Sequence, residues 1–494
     1  MALEHLEPKE CFRWFEAISR IPRGSHNEKA ISEWLAAFAK ERGLAVIRDA
    51  HGNVCIKKPG TPGMETAPAV ILQGHMDMVC VKGEGVTFDF EKDPIRLKME
   101  GDRLTADGTT LGADNGIALA FILALLDAKD IPHPPLEAVI TVEEEVGLVG
   151  AAEYDASVLT GTSFINIDSE EEGVFCVSCA GGRRSKISLP VETVDTTSLS
   201  GADRYGFFTL SIGGLTGGHS GQTIDQQRVN AAILMGRVLH ALSEEHGCYL
   251  ADISGGSAVN VIPSTCSATI CIDCPEDMIG KELDALAKTY RHEFAASDGK
   301  GLTLQAAKTG ALPQVFSRAC TNKVIAMLTL IPDGVVSMDL NMEHMVESST
   351  NLGMVRVEDG MVTFSSLSRS SVGSKKEFIC AKLEKLARLT GAEIMFHGNY
   401  PAWEYSPTSR VRDVFMESYA DLFGKEAKAE GIHAGLECGL FYDKFRELGR
   451  DVDFIAFGPD ITGAHTVTES VSVPSVERMW RLLLEALRRL GAGK

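Results

Sequence analysis

The sequence predicts an α/β fold, a mostly parallel central sheet with helices on both faces, interrupted by an inserted α+β domain. Three observations predict it. The stretches Val70–Gly74, Leu136–Val142 and Phe164–Ile167 are apolar runs of strand length, and each stops at residues of metal-ligand type. From about Arg184 the texture changes to alternating apolar and polar positions interleaved with amphipathic helices. After about Tyr400 the first texture returns, with the apolar strand Asp453–Phe457 running into Gly458-Pro459. At 494 residues, 44% of them hydrophobic, the chain is too long for one ordinary domain. A first domain in two parts, residues 1–184 and 399–494, is expected to surround an inserted domain at 185–398.

Taken in order, Ser25-His26-Asn27-Glu28 reads as a capping box, and Gly43 as the stop of the helix whose apolar period runs from Ile31 to Arg42. Short strands are expected at 45–49 and 53–57. The run from Val70 then breaks at Gly74 and presents His75 and Asp77. Residues two apart on an extended backbone point to the same side, so this imidazole and carboxylate face one space. A neutral imidazole is a good ligand for a divalent transition metal, and a carboxylate on its other ring nitrogen fixes the tautomer. A satisfied polar pair at a strand end would read the same way. The glycine- and aspartate-rich loop Gly101–Gly116 leads into a helix at 117–128. Asp114, at its mouth, has both a helix-capping and a ligand reading.

The strand at 136–142 ends in Glu143-Glu144-Glu145-Val146-Gly147, and the strand at 164–167 ends in Asp168 and then Glu170-Glu171-Glu172. Sites in parallel sheets gather at the carboxyl ends of the strands. His75, Asp77, Glu144, Glu145 and Asp168 all fall at such ends. In the inserted domain, strands at 207–212, 266–272 and 360–367 alternate with helices at 229–242, 277–295, 322–330 and 374–389, as antiparallel strands with one covered face do. Val259-Asn260-Val261-Ile262 and Thr350-Asn351-Leu352-Gly353 each precede a strand in similar order, which leaves an internal duplication open. Beyond Tyr400 come a helix at 409–423, the string Ile432-His433-Ala434-Gly435-Leu436-Glu437-Cys438-Gly439, and a late histidine in Gly463-Ala464-His465-Thr466. That second approach of an apolar strand to a histidine implies that the end of the chain rejoins the first sheet.

A formal net charge of -20 argues against nucleic-acid and anionic-membrane partners, which require a basic footprint. The opening Met1-Ala2-Leu3-Glu4-His5-Leu6-Glu7 has neither a basic nor an apolar leader region, and no uncharged apolar run approaches a membrane span. A cytosolic protein is expected. The 12 cysteines, such as Cys55, Cys266 and Cys271, lie mostly in strand-like apolar contexts and read as buried free thiols. Cys176-x-x-Cys179 is read as neither a zinc nor a redox motif.

The candidate ligand set is therefore His75, Asp114, Glu145, Asp168 and His465, with Asp77 and Glu144 beside two of them. Two imidazoles and three carboxylates suit borderline cations, zinc first and manganese or cobalt as alternatives; an oxygen-only calcium cage is absent. Two cations sharing a bridging carboxylate, about 3.5–4 Å apart, use all five ligands, whereas the single-metal alternative leaves ligands over. Such a pair acidifies water and polarises a carbonyl, and a carboxylate that is not a ligand can take the proton. Glu144, adjacent to Glu145, is the residue chosen for that base. The third glutamate, Glu143, leaves the Glu143/Glu144 register formally open, although the following x-Gly favours Glu144/Glu145.

In order and spacing, His75-x-Asp77, Gly112-Ala113-Asp114-Asn115-Gly116, Glu144-Glu145-x-Gly147, Asp168 and His465 resemble the ligand series of the co-catalytic dizinc exopeptidases that include aminoacylase, peptidase T and carnosinase. The strings Ile432–Gly439, Gly217-Gly218-His219-Ser220-Gly221 and Ser366-Leu367-Ser368-Arg369-Ser370 are similar to the aminoacyl-histidine dipeptidase branch of that family. The resemblance implies a zinc-exopeptidase-like catalytic domain with the insertion as a lid. It further implies that Asp114 bridges two metals, with His75 and Asp168 on one and Glu145 and His465 on the other, while Asp77 orients His75 and Glu144 is the base. His219 resembles an oxyanion-stabilising donor. Asn260 and Arg369 resemble substrate-binding positions, a guanidinium pairing with the free C-terminal carboxylate. His433 and Glu437 match a motif of that branch, in a role that supports either the site or the substrate amine. The expected substrate is an unblocked dipeptide, of the Xaa-His type or broader, and the expected assembly a monomer or homodimer. An N-acyl-amino-acid deacylase on the same metals is the alternative within hydrolases. A non-catalytic binding protein on this scaffold would be expected to have lost a ligand or the base, and all are present.

Overall fold

A strand that is apolar on every residue is stable only in a sheet covered on both sides. The computed structural model, which describes residue 3 and residues 5–492, contains such a sheet. The chain divides into two compact units: Met1–Cys179 with Tyr405–Gly431 and Leu436–Lys494, and Ala180–Glu404 with Ile432–Gly435. The second unit runs beyond the 185–398 read from sequence because its strands Gly181–Pro190 and Glu393–Tyr400 pair with each other across those limits. It also takes the short segment 432–435, which no change of sequence texture marks.

In the first unit an eight-stranded sheet has the order Ala45–Arg48, Val54–Lys58, Leu136–Thr141, Val70–His75, Ser163–Asn166, Asp453–Ala456, Val174–Cys179, Lys428–Ile432. The middle four strands are mutually parallel. Strands 45–48 and 54–58 on one side and 174–179 on the other join antiparallel. Side chains alternate between two cores. Val70, Leu72, Leu136, Ala138, Ile140, Ile165 and Ile455 enter one cluster with the helices Lys9–Ile18, Lys29–Glu41, Ala113–Asp127, Arg410–Phe423 and Val473–Gly491. On the opposite face Phe164 stacks on Phe454 with centroids 4.6 Å apart and meets Phe441 of the helix Glu437–Glu447 at 5.0 Å. Helix Ala113–Asp127 is buried on nearly every residue, so it shows no polar stripe.

A second, small sheet does the long-range work for the site. Strand Ser470–Ser472 pairs antiparallel with Arg103–Ala106, and with Ile461–Thr462 on its other side. Thr105 Oγ1 donates to the Glu469 carbonyl at 2.7 Å, and the Arg103 guanidinium donates to the Ser470 carbonyl at 2.9 Å. The loop carrying His465 is thereby fastened to the segment that leads into Asp114.

The capping box at Ser25–Glu28 does not form. Glu28 is the N-cap of Lys29–Glu41 but makes no side-chain cap bond. Ser25 Oγ donates instead to Asp77 Oδ2 at 2.8 Å, and Glu28 accepts from the Glu143 N–H at 3.1 Å. Tertiary demand for these two side chains outweighs the local pattern. Gly43 does end that helix region, with φ +67°.

In the second unit a nine-stranded antiparallel sheet has the order Thr303–Lys308, Gly206–Gly213, Cys266–Ile272, Cys248–Gly255, Val346–Glu358, Met361–Ser370, Gly181–Pro190, Glu393–Tyr400, with Gly334–Met338 also on Val346–Glu358. Phe208, Leu210, Ile212, Ala268, Ile270, Ile272, Val362 and Phe364 point to one face, where residues of the helices Ala231–Glu245, Glu276–Glu293, Arg318–Leu330 and Gly373–Thr390 cover them. The two Asn-centred strings proposed as traces of a duplication do not hold equivalent places. Thr350–Gly353 lies inside the strand Val346–Glu358, whereas Asn260 sits in the turn before the two-residue strand Val261–Ile262. They are neighbours instead, Asn351 Nδ2 donating to the carbonyls of Val259 and Val261 at 3.1 and 3.0 Å. Among the described residues no helix is long and apolar enough to cross a membrane.

Candidate active site

His75 closes its parallel strand, and Gly74 before it has a structural reason. A Cβ there would lie 2.5 Å from Asn115 Oδ1 and 2.7 Å from Ala118 Cβ. That space lets Asn115 accept from the His75 backbone N–H at 3.2 Å and donate to the Ile167 carbonyl and to Asp168 Oδ1, both at 2.7 Å. One buried amide thus sets the spacing of two strand ends and aims the Asp168 carboxylate.

The five ligand candidates converge in the first unit. His75 Nε2 lies 3.1 Å from Asp114 Oδ1 and 3.5 Å from Asp168 Oδ1. His465 Nε2 lies 3.1 Å from Asp114 Oδ2 and 3.0 Å from Glu145 Oε2. Asp114 therefore offers one oxygen to each imidazole, and each imidazole has a second carboxylate beyond it. The ligating atoms of His75, Asp114 and Glu145 all lie within 4.8 Å of one another. His75 and Asp168 are nearly covered, while His465 is half exposed and forms the open rim.

The supports are as ordered as the ligands. Asp77 Oδ1 lies 3.2 Å from His75 Nδ1, a charge contact whose angle falls short of a hydrogen bond. Asp77 also accepts from the backbone N–H groups of Glu144 and Glu145, at 3.0 and 3.2 Å. One buried carboxylate so links the His75 strand to the Glu144–Glu145 turn. Glu143 turns away, with φ +50°, and its carboxylate meets His26 Nδ1 at 3.0 Å near the surface. The Glu144/Glu145 register is the one whose side chains face the site.

Electrostatics agree with a place built for cations. Burial works against the charge of His75, but Asp168, Asp114 and Asp77 outweigh it and raise the imidazole well above its ordinary value. Asp114 and Glu145 raise His465 to about 11. Burial opposes the charge of Asp114, yet the two imidazoles hold it below the usual carboxylate range. Asp168 is pushed up to about 6 by burial and by Asp114 and Glu145, His75 offsetting only part. Burial, then Asp168, Glu437 and Glu145, also raise Glu144, against the pull of His75. Carboxylates packed this closely repel one another unless positive charge joins them. The donor set fits a pair of divalent cations: imidazole and carboxylate without thiolate, in the numbers two borderline ions take.

Two residues without a sequence signal complete the first unit's site. Glu469, buried, accepts from the backbone N–H groups of Leu111, Gly112, Ala113 and Asp114 at 2.7, 2.9, 2.7 and 3.2 Å. Arg23, also buried, donates to the carbonyls of Met76 and Asp77, each at 3.1 Å, and to that of Gly112. Glu437, expected to support the site or the substrate amine, is fully buried and accepts from Thr141 Oγ1 at 2.9 Å and from Gln73 Nε2. It supports the strands beneath His75, and burial raises it to about 7.

The second unit holds the other predicted residues. His219 Nδ1 accepts from the backbone N–H groups of Gly221 and Gln222 at 3.2 and 3.1 Å, which leaves the ring proton on Nε2. Gly221 is required there, since a Cβ would come 2.7 Å from the His433 carbonyl oxygen. Burial, then the Arg369 charge, lower the His219 pKa, so the ring is a neutral donor. Asn260 is exposed, and its carbonyl accepts from the Ser220 N–H at 2.9 Å, beside the His219–Val261 strand pair. Arg369 is 5% exposed, and its guanidinium donates to Tyr400 Oη at 2.8 Å. Among the described residues no carboxylate pairs with it. His433 is buried with Nε2 2.7 Å from Ser349 Oγ, and burial, then Arg369, lower it to about 3.

Fold and site together define a hydrolase of the α/β class built around divalent cations. The chain belongs to Peptidase family M20/M25/M40, whose model matches residues 71–489. It is 36% identical, over 497 aligned residues and 99% of each chain, to the cytosol non-specific dipeptidase of Escherichia coli K12. The crystal structure of aminoacylhistidine dipeptidase from Vibrio alginolyticus superposes with a TM-score of 0.92 at 35% identity, covering 99% of this chain and 98% of that one. Aminopeptidase PepT from Bacillus cereus, at 15% identity and a TM-score of 0.56 over 98% of this chain and 99% of its own, shares the fold. The chain is a peptide-bond hydrolase of this metallopeptidase family.

Proposed function

We propose that this chain is a metal-dependent dipeptidase that cleaves the single peptide bond of unblocked dipeptides, with zinc as the metal and the cytosol as its compartment. The observation that carries the reading is the convergence of His75, Asp114, Glu145, Asp168 and His465, in a chain related over its whole length to enzymes named for dipeptide hydrolysis. Asp114 would bridge the two ions, with His75 and Asp168 on one side and Glu145 and His465 on the other. Bound there, the ions supply Lewis acidity that activates water and polarises the scissile carbonyl.

The protein's own groups do the rest. Glu144 takes the proton of the attacking water and delivers it to the departing amine, a role suited to a carboxyl whose pKa burial raises above its ordinary value. Asp77 holds His75 in one orientation. The neutral Nε2–H of His219 donates to the oxygen that gains negative charge as the carbonyl is attacked. Arg369 receives the substrate's C-terminal carboxylate. A buried guanidinium without an internal counter-ion is costly unless an anion joins it, and a carboxylate matches its fork. Asn260 lies beside His219 as a further polar contact, and His433 braces that region through Ser349. Free cysteines throughout, Cys55, Cys266 and Cys271 among them, fit a reducing compartment.

The test is a substrate panel on metal-stripped and zinc-reconstituted protein. Ala-His and other unblocked dipeptides should be hydrolysed only after zinc is restored, while N-acetyl amino acids and peptides blocked at the C-terminus should be poor substrates. Faster turnover of N-acetyl-alanine than of Ala-His would replace the dipeptidase reading with the deacylase one.

A further inference from the structure

A second group of metal-ligand side chains lies in the second unit, and hydrolysis makes no use of it. His246 follows the helix Ala231–Glu245 in extended conformation, φ -134° and ψ 159°. Its Nε2 lies 2.8 Å from Oε1 of Glu282, on the helix Glu276–Glu293. Cys274, just past the strand Cys266–Ile272, completes a group whose ligand atoms all lie within 4.8 Å of one another. The backbone N–H of Asp273 donates to the Gly247 carbonyl at 2.9 Å, so the residues adjoining Cys274 and His246 are already fastened together. Cys274 is buried, and the His246 and Glu282 side chains are 15% and 30% exposed. One side of the group is therefore open to solvent.

A surface His–Glu pair beside a buried thiol would use only two of these groups. Three ligand-type atoms within 4.8 Å of one another offer more than that pair. Burial, then Glu282, Asp277 and Asp273, push the Cys274 thiol up, so its thiolate is disfavoured until a cation arrives. Zinc binds thiolate at about 2.3 Å and imidazole at about 2.0–2.1 Å in tetrahedral geometry, which puts ligand atoms roughly 3.5 Å apart. Small rotamer changes bring a 4.8 Å group to that spacing. We propose that His246, Cys274 and Glu282 form a second divalent-metal site of zinc type, with water as the fourth ligand, tying the end of one helix and the end of a strand to the body of a second helix in the second unit. Binding releases the Cys274 thiol proton to solvent, shifts the proton of the neutral His246 ring from Nε2 to Nδ1, and replaces the His246–Glu282 hydrogen bond by two metal–ligand bonds. The inference is independent of the dipeptidase reading, but the thiol gives it a signature that the imidazole–carboxylate site cannot produce.

The experiment uses the full chain with its catalytic site loaded with zinc, titrated with Co²⁺ and followed by near-ultraviolet absorption. Binding at this site yields a thiolate-to-cobalt charge-transfer band saturating at one ion per chain, and excess Zn²⁺ quenches it. Cys274→Ser should abolish the band with dipeptide turnover unchanged. His246→Gln leaves the buried thiol in place and should weaken the band's midpoint by more than about tenfold, the lower limit for loss of even an outer partner of a metal site. Absence of the band in the parent protein overturns the proposal. So does a band that survives in Cys274→Ser, which would assign it to another thiol such as the exposed Cys80, or a midpoint unmoved in His246→Gln.

Discussion

Oε1 of Glu469 accepts from the backbone N–H of Asp114 at 3.2 Å, as part of a carboxylate that holds the whole turn Leu111–Asp114 by its N–H groups. Asp114, proposed above as the shared ligand, is thus presented by a backbone that a residue on the His465 loop fixes. Glu469→Gln turns one accepting oxygen into a donor facing N–H groups. Metal affinity should fall by about 10–100-fold, as when partners behind ligands are lost elsewhere. Zinc titration against a chromophoric chelator measures it, and unchanged affinity would remove Glu469 from the positioning role.

Glu144→Ala should keep both metal ions and lose about 10²–10⁴ in kcat, the range a positioned general base supplies. Metal content and single-turnover rates measured on the same preparation decide the matter. Full activity in that variant excludes Glu144 as the base.

Asp77 joins the His75 ring to the N–H groups of Glu144 and Glu145. Asp77→Ala should therefore cost both orientation of the imidazole and order in the glutamate turn, weakening zinc by roughly 10–100-fold. Ser25→Ala removes only the 2.8 Å bond to Asp77 and should be much milder.

Arg369→Met should raise KM for dipeptides by one to two orders of magnitude, since a hydrogen bond to a charged group contributes about 1.5–3 kcal/mol. With a C-terminally amidated dipeptide the parent should already be impaired, and the substitution should add little. An equal loss on both substrates would show that Arg369 does not read the carboxylate.

His433 gives a pH dependence with a definite sign. Its pKa in the folded protein is about 3 against an ordinary 6.5, burial and Arg369 being the causes. A group depressed in this way contributes stability that is complete above pH 6.5. The contribution falls as pH drops from 6.5 towards 3, at up to about 1.4 kcal/mol per unit. Urea unfolding from pH 7 to 4 should show this slope, and His433→Asn should flatten it. Parallel curves for the two proteins would contradict the assignment.

Much of the first unit was legible because buried parallel strands write themselves as apolar runs. The runs at 70–74, 136–142 and 164–167 became neighbouring strands, and His75, Glu145 and Asp168 stood where those strands end. The inserted unit's strand at 266–272 and its helices were legible through alternation and the helical period. Local signals failed where tertiary contacts claimed the side chain: Ser25 left its cap for Asp77. The regular helix does begin near the expected 117, since Asp114 and Asn115 before it have non-helical backbone.

By itself, then, the sequence determined the apolar strands of the first sheet, most of the long helices, and the ligand-type residues with their order, since periodicity and side-chain chemistry are local properties. Tertiary structure alone decided which carboxylate stands between the two imidazoles, that Glu143 points outward, that Glu437 is buried as a support, and that Arg23 and Glu469 hold the ligand-bearing turns. Each of those depends on hydrogen bonds between segments as much as several hundred residues apart, and no spacing along the chain encodes such a partner.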